Sequence, residues 1–277
     1  MADEHIIEGI GKAQIKIKNG KVTEVSEPKI EYCPLFHKHR NMEIINKEAI
    51  KKNMEFRIED FGMCTPDRQI RMKDFLSFGI SEIISTLLEE KVIDSVIMVC
   101  EGCGTIIVTD PEVAQGVGGR VSGLVKTCPI PEIICKIGET KILDPRTARI
   151  NQIEGLKLAI KEGYKKIAIT VTKGDDCLEI KKIKEENPEI EIYLFGVHTT
   201  AISRKDARLL FDNCEVLTAC ASKHIWEIGE EEAVFKVGES IPIYAATEKG
   251  KEFLEMRLKK IGPKDKKENA PIPKPLI

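Results

Sequence analysis

From Ser95 to Ala246 the chain repeats one pattern, a short apolar and mostly β-branched run followed by a stretch with helical spacing. The runs fall at 95–100, 166–171, 191–197, 215–219 and 241–246, and helical stretches follow at 153–162, 176–186, 203–212, 224–232 and 248–261. Strands that alternate with helices pair in parallel, since a chain needs a crossover to run the same way twice, and the helices then cover both faces. The pattern predicts an α/β fold: a mainly parallel sheet flanked by helices.

Ahead of this core, AQIKIKNGKVTEVS (13–26) alternates apolar and polar residues on both sides of Asn19-Gly20, a strong type I′ hairpin signal. A polar helix over 47–61 ends at Gly62. In Cys64-Thr65-Pro66-Asp67-Arg68, Thr65 reads as an N-cap and Pro66 as the first position of a helix reaching Glu90. Thr109-Asp110-Pro111 opens a glycine-rich helix containing Gly116, Gly118, Gly119 and Gly123, and 141–143 reads as a short strand. The expected organisation is one α/β domain over 1–262, with a hairpin and helix cap over 1–62 and the alternating core over 63–262. The Pro- and Lys-rich 263–277 reads as a flexible tail.

A length of 277 residues with 42% hydrophobic content is ample for a buried core. The formal charge of −2 gives no reason to expect nucleic acid or an anionic membrane as partner. MADEHII shows no export signal, and no apolar run approaches the roughly 18 residues of a membrane span, so a cytoplasmic protein is expected. Nine cysteines in a reducing compartment are core hydrophobes, ligands or reactive thiols rather than a disulfide framework.

In open parallel sheets ligands bind beyond the carboxyl ends of the strands. Those ends here read Cys100-Glu101-Gly102-Cys103-Gly104, Thr172-Lys173-Gly174-Asp175, His198-Thr199-Thr200 and Cys220-Ala221-Ser222-Lys223-His224. Cys220, Lys223, His224 and His198 combine nucleophilic and proton-transfer capacity, suited to an enzyme acting on a small anionic metabolite. The segment GVGGRVSG matches neither a dinucleotide fingerprint nor a P-loop. It reads either as a helix packing closely through its glycines or as a helix start where Gly118, Gly119 and Arg120 meet an anionic ligand. Cys33, Cys64, Cys100 and Cys103 are either a four-thiolate set for a [4Fe–4S] cluster or reduced, partly buried thiols. Within that set Cys64 stands beside expected helix amides and Arg68, which would favour its thiolate, unless it packs behind Phe61 and Met63.

Five stretches carry a family resemblance: EYCPLF (31–36), DFGMCTPDRQIRMKDFLSFGISEIIST (60–86), VCEGCGTIIVTDPEVAQGVGGRVSGL (99–124), VHTTAISR (197–204) and CASKHIWEIG (220–229). Together they resemble the methanogenesis marker 8 proteins. The resemblance implies an archaeal, cytoplasmic protein of an anaerobic cell that serves methane metabolism. One implied service is maturation or activation of methyl-coenzyme M reductase or its nickel cofactor, with maturation proteins or that enzyme as partners. Such machinery is rich in iron–sulfur proteins. No catalytic residues come with the family.

Overall fold

The computed structural model describes residues 3–74, 76, 78–120, 123–262 and 269–277. The chain opens with strands β1 (Glu4–Glu8), β2 (Gln14–Lys18) and β3 (Lys21–Val25), then helices α1 (Pro34–Arg40), α2 (Lys47–Phe61) and α3 (Ile80–Glu89). Next come β4 (Ser95–Cys100), β5 (Gly104–Val108), α4 (Pro111–Gly118), β6 (Gly123–Lys126) and α5 (Pro131–Ile137). The alternating region continues with α6 (Gln152–Lys161), β7 (Lys166–Val171), α7 (Gly174–Glu186), β8 (Glu191–Gly196) and α8 (Arg204–Asn213). It closes with β9 (Val216–Thr218), α9 (Lys223–Glu232), β10 (Phe235–Val237), β11 (Ile243–Ala245) and α10 (Glu248–Ile261).

Local signals account for much of this. Asn19 and Gly20 both take positive φ, as a type I′ turn requires, and β2 and β3 pair antiparallel across them. Asn46 accepts from the Ala49 amide to start α2, and Gly62 ends it at φ 73°. Asp110 caps α4 through the Glu112 and Val113 amides.

The strands form two sheets. The larger runs β10-β11-β9-β8-β7-β4-β5, the smaller β3-β2-β1-β6. In the larger sheet β4, β7, β8 and β9 are parallel neighbours, whereas β5, β11 and β10 join antiparallel. The smaller sheet is wholly antiparallel. The expected mainly parallel sheet is therefore corrected to a mixed one with a second, antiparallel sheet beside it. The reason lies in the connections: Glu101–Cys103 is too short for a crossover, so the chain after β4 must turn straight back, and β10 returns as β11 in the same way. The smaller sheet also takes β6 from 123–126, across the expected division at residue 62.

Side chains alternate across the larger sheet. Val96, Met98 and Cys100 of β4 enter a core shared with α3, α4 and α10, while Ile97 enters one shared with α6, α7 and α8. A third core, with Ile7, Ile15, Ile17, Met54 and Cys64, lies under the smaller sheet. No helix among the described residues is long and apolar enough to cross a membrane.

Two further expectations change. Met63–Asp67 form successive turns in place of a helix start, and α3 begins only at Ile80. Thr65 and Arg68 amides bond back to the Gly62 and Thr65 carbonyls, folding the chain so that Arg68 is buried. Residues 263–268 of the expected tail lie outside the described residues, whereas 269–277 return to the body. Lys274 bonds the Tyr32 backbone, and Ile277 bonds Ala221 and Lys223.

Candidate functional site

A cleft of about 1720 Å³ lies between the smaller sheet and the carboxyl ends of the parallel strands. Thr170 and Thr172 at the end of β7, His198 after β8 and Cys220 after β9 line it on one side. Glu8 at the end of β1, with Leu124 of β6 and Cys33 at the start of α1, lines it on the other.

His198 joins the two sides. Its Nε2 stands 2.9 Å from Glu8 Oε2, and the hydrogen bond it donates holds the Glu8 carboxyl below the usual carboxylate range, against a partial opposing effect of burial. Lys12, 3.5 Å from the same oxygen, acts in the same direction. The imidazole fits because residue 123 is glycine: a Cβ there would lie 2.6 Å from His198 Nε2. With Nε2 bonded to a carboxylate, the pair has the geometry of an oriented acid–base group whose second nitrogen, Nδ1, has no hydrogen bond among the described residues.

Basic side chains also line the cleft, Lys38, His39 and Arg57 among them. Arg68 and Arg120 both lie against the Phe61 ring, 4.9 and 4.5 Å from its centroid. Burial, with Arg40 and Arg68 nearby, pulls Arg57 down to about 10, and Arg120 Nη1 is buried without a hydrogen-bond partner among the described residues. Glu101 opposes the shift of Arg57 and pairs with Arg68, and Asp60 opposes the lowering of Arg120 by its charge.

The structure brings together only part of the set that the sequence suggested. His198 and Cys220 share the cleft, with Cys33 close enough to feel the charge of Cys220. Lys223 and His224 do not join them: both pair with Glu227 on α9, Lys223 at 3.8 Å and His224 at 3.4 Å. Gly118 and Gly119 line the cleft, but they close α4 rather than open a helix, so they present its carbonyl end. Their lack of side chains serves packing, because a Cβ on Gly118 would lie 2.6 Å from Met98 Cε.

Cys64, Cys100 and Cys103 are fully buried. Burial above all, then the nearby Glu101, pushes the Cys64 thiol far up, and the expected helix amides that would have lowered it are not there. Cys100 is likewise pushed up, first by its contact with Cys103 and then by burial. The polar member of this segment is Glu101, which pairs with Arg68, both wholly buried. Arg68 also donates to the Gly116 carbonyl at 3.1 Å.

One arrangement escaped sequence reasoning altogether. Asp3, His5 and Cys128 meet at the start of β1, their donor atoms all within 4.8 Å of one another. No local signal marks them, since 125 positions separate Asp3 from Cys128 and only the pairing of β1 with β6 unites them.

Fold and cleft thus define an α/β protein of two sheets with a wide cleft at its strand ends. The chain belongs to the family described as an uncharacterized protein conserved in archaea (DUF2099), which it matches over residues 5–259. It is 44% identical over 288 aligned positions to the "Uncharacterized protein MJ0054" of Methanocaldococcus jannaschii, covering 99% of this chain and all of that protein. An archaeal family, as the motifs resembled, is therefore established.

Proposed function

We propose that the protein is an acid–base enzyme acting on a small anionic metabolite in the cleft between its sheets. The observation that carries this reading is the His198–Glu8 pair, 2.9 Å apart and contributed by the two opposing walls. Glu8 orients the imidazole, His198 Nδ1 exchanges a proton with the substrate, and the basic side chains of Lys38, His39 and Arg57 hold the negative group. Cys220, half-buried on the same rim, supplies a thiol within the site.

The test is a thermal-shift screen of anaerobically purified protein against phosphorylated and carboxylated metabolites, followed by assays of the compounds that stabilise it. Replacing His198 by Asn should leave binding within a few-fold while lowering turnover by about 10²–10⁴, the usual contribution of a positioned proton-transfer group. Wild-type turnover by that variant would remove His198 from the mechanism, and a screen with no stabilising anion would remove the reading itself.

A second reading follows from Cys33 and Cys220 facing one cleft. In it the chain is a thiol-bearing accessory of methanogenesis, working on methyl-coenzyme M reductase or its cofactor with partner maturation proteins. A [4Fe–4S] cluster on Cys33, Cys64, Cys100 and Cys103 would be its cofactor. Iron and acid-labile sulfide in the same anaerobic preparation decide it: stoichiometric amounts favour this reading, and their absence ends the cluster proposal.

A further inference from the structure

The donor atoms at the start of β1 differ in kind. Asp3 Oδ1 stands 2.9 Å from His5 Nε2, and the Cys128 sulfur lies 3.4 Å from that oxygen and 3.7 Å from that nitrogen. One oxygen, one nitrogen and one sulfur at such spacing match the mixed set that binds zinc-type ions, three protein ligands with a fourth position open. We infer that Asp3, His5 and Cys128 form a binding site for a divalent zinc-type cation, separate from the cleft.

The far side of the imidazole supports this independently. His5 Nδ1 lies 2.7 Å from Thr127 Oγ1, which also accepts the Gly102 N–H at 2.8 Å. A ligating imidazole keeps its other ring N–H on a fixed acceptor, which sets both tautomer and ring plane. Thr127 has a remaining lone pair for that proton, and its own hydroxyl hydrogen can turn to the Cys128 carbonyl at 3.5 Å. The Nε2 lone pair then faces Asp3 and Cys128. Without a cation the same contacts are met by the other tautomer, with Nε2–H donated to Asp3 and the Thr127 hydroxyl donated to Nδ1. The ring is thus held in one orientation in either state.

Access and charge agree with the assignment. His5 is wholly buried, whereas the Asp3 side chain is 38% exposed and opens the site to solvent. Glu101, paired with Arg68 and with Oε2 unpartnered among the described residues, lies close enough for His5 to feel its charge. When the cation binds, the Cys128 thiol releases its proton to solvent as the sulfur–metal bond forms, and no electron is transferred. The bound ion would tie β1 to the segment that follows β6.

Metal-stripped protein, kept anaerobic, is titrated with Co²⁺ as a spectroscopic stand-in for Zn²⁺. The expected result is one Co²⁺ per chain, with a thiolate-to-cobalt charge-transfer band, visible bands of tetrahedral geometry, and loss of both on adding Zn²⁺. Cys128→Ser should abolish the charge-transfer band, and Thr127→Val should keep it while weakening affinity by about 10–100-fold. Far-ultraviolet circular dichroism verifies that each variant folds. Should Cys128→Ser not fold, Asp3→Asn at the exposed ligand must weaken binding at least about tenfold. Failure of the wild type to take up Co²⁺ would overturn the site. So would a folded Cys128→Ser that retains the band, because another thiol would then be the ligand, or an Asp3→Asn of unchanged affinity.

Discussion

The carboxylate of Glu101 is shut off from bulk solvent. It sits in the turn between β4 and β5, wholly buried, and Arg68 is buried with it. Each ion is tolerable there only because the other is present, and Arg68 spends further N–H groups on the Gln69 and Gly116 carbonyls. Replacing Glu101 by Ala leaves a guanidinium stranded in the core and should cost about 3–5 kcal/mol of stability. Urea unfolding measures this, and a double Glu101→Ala, Arg68→Met variant should lose less than the two single losses combined. A single loss below about 1 kcal/mol, typical of an exposed pair, would show that the ions are better hydrated than the packing indicates. The cysteines on either side of Glu101 read differently in this light. Cys100 and Cys103 share a buried cluster with Ile130 and Ile133, and the charge of the segment sits on the acid between them.

At the scale of elements, β6 decides where the imidazole of His198 can lie. This strand pairs with β1 at the edge of the smaller sheet and passes Gly123 against the ring. A Gly123→Ala change alters no ionisable group, yet its methyl would occupy the space of Nε2 and push the ring away from Glu8. The Glu8 carboxyl, held down chiefly by that hydrogen bond, should then titrate closer to the ordinary value of about 4.3. Carbon-detected NMR of the Glu8 carboxyl reads this directly, and an unmoved titration would mean that the ring had adjusted without breaking the pair. The sign carries over to stability. Folded Glu8 releases its proton more readily than unfolded Glu8, so the pair contributes above about pH 4.3 and fades as pH falls through the lower folded value. The variant should therefore lose part of its stability near neutrality and show a shallower acid decline.

For the molecule as a whole, residues 269–277 act as a strap. Lys274 bonds to Tyr32 beside α1, Ile277 bonds to Ala221 and Lys223 at the start of α9, and Ala270 and Pro273 line the cleft between them. The strap therefore joins the walls that carry Cys33 and Cys220. Removing 269–277 should lower the melting temperature and speed iodoacetamide labelling of Cys33 and Cys220, leaving Cys177 and Cys214, both fully buried under the larger sheet, unlabelled until unfolding. Peptide mass spectrometry follows each site, and unchanged rates at Cys33 and Cys220 would show that the strap covers neither.

Periodicity and turn chemistry in the sequence determined the elements whose causes are local. Asn19-Gly20 set a hairpin, Asn46 and Gly62 bounded α2, and the β-branched runs marked β4, β7 and β8 close to their ends. The same runs placed His198 and Cys220 at strand ends, where the cleft lies. Strand direction was not local. The three residues after Cys100 force a reversal that β-propensity cannot distinguish from a crossover, which is why β5 runs antiparallel to β4, and the short return from β10 does the same for β11. Cap signals at Thr65-Pro66 were real in type but lost to the burial of Arg68 against Glu101, a partner 33 positions away. Only the tertiary structure could unite Glu8 with His198, 190 positions apart, or Asp3 with Cys128, because long-range pairing leaves no period in the chain that carries it.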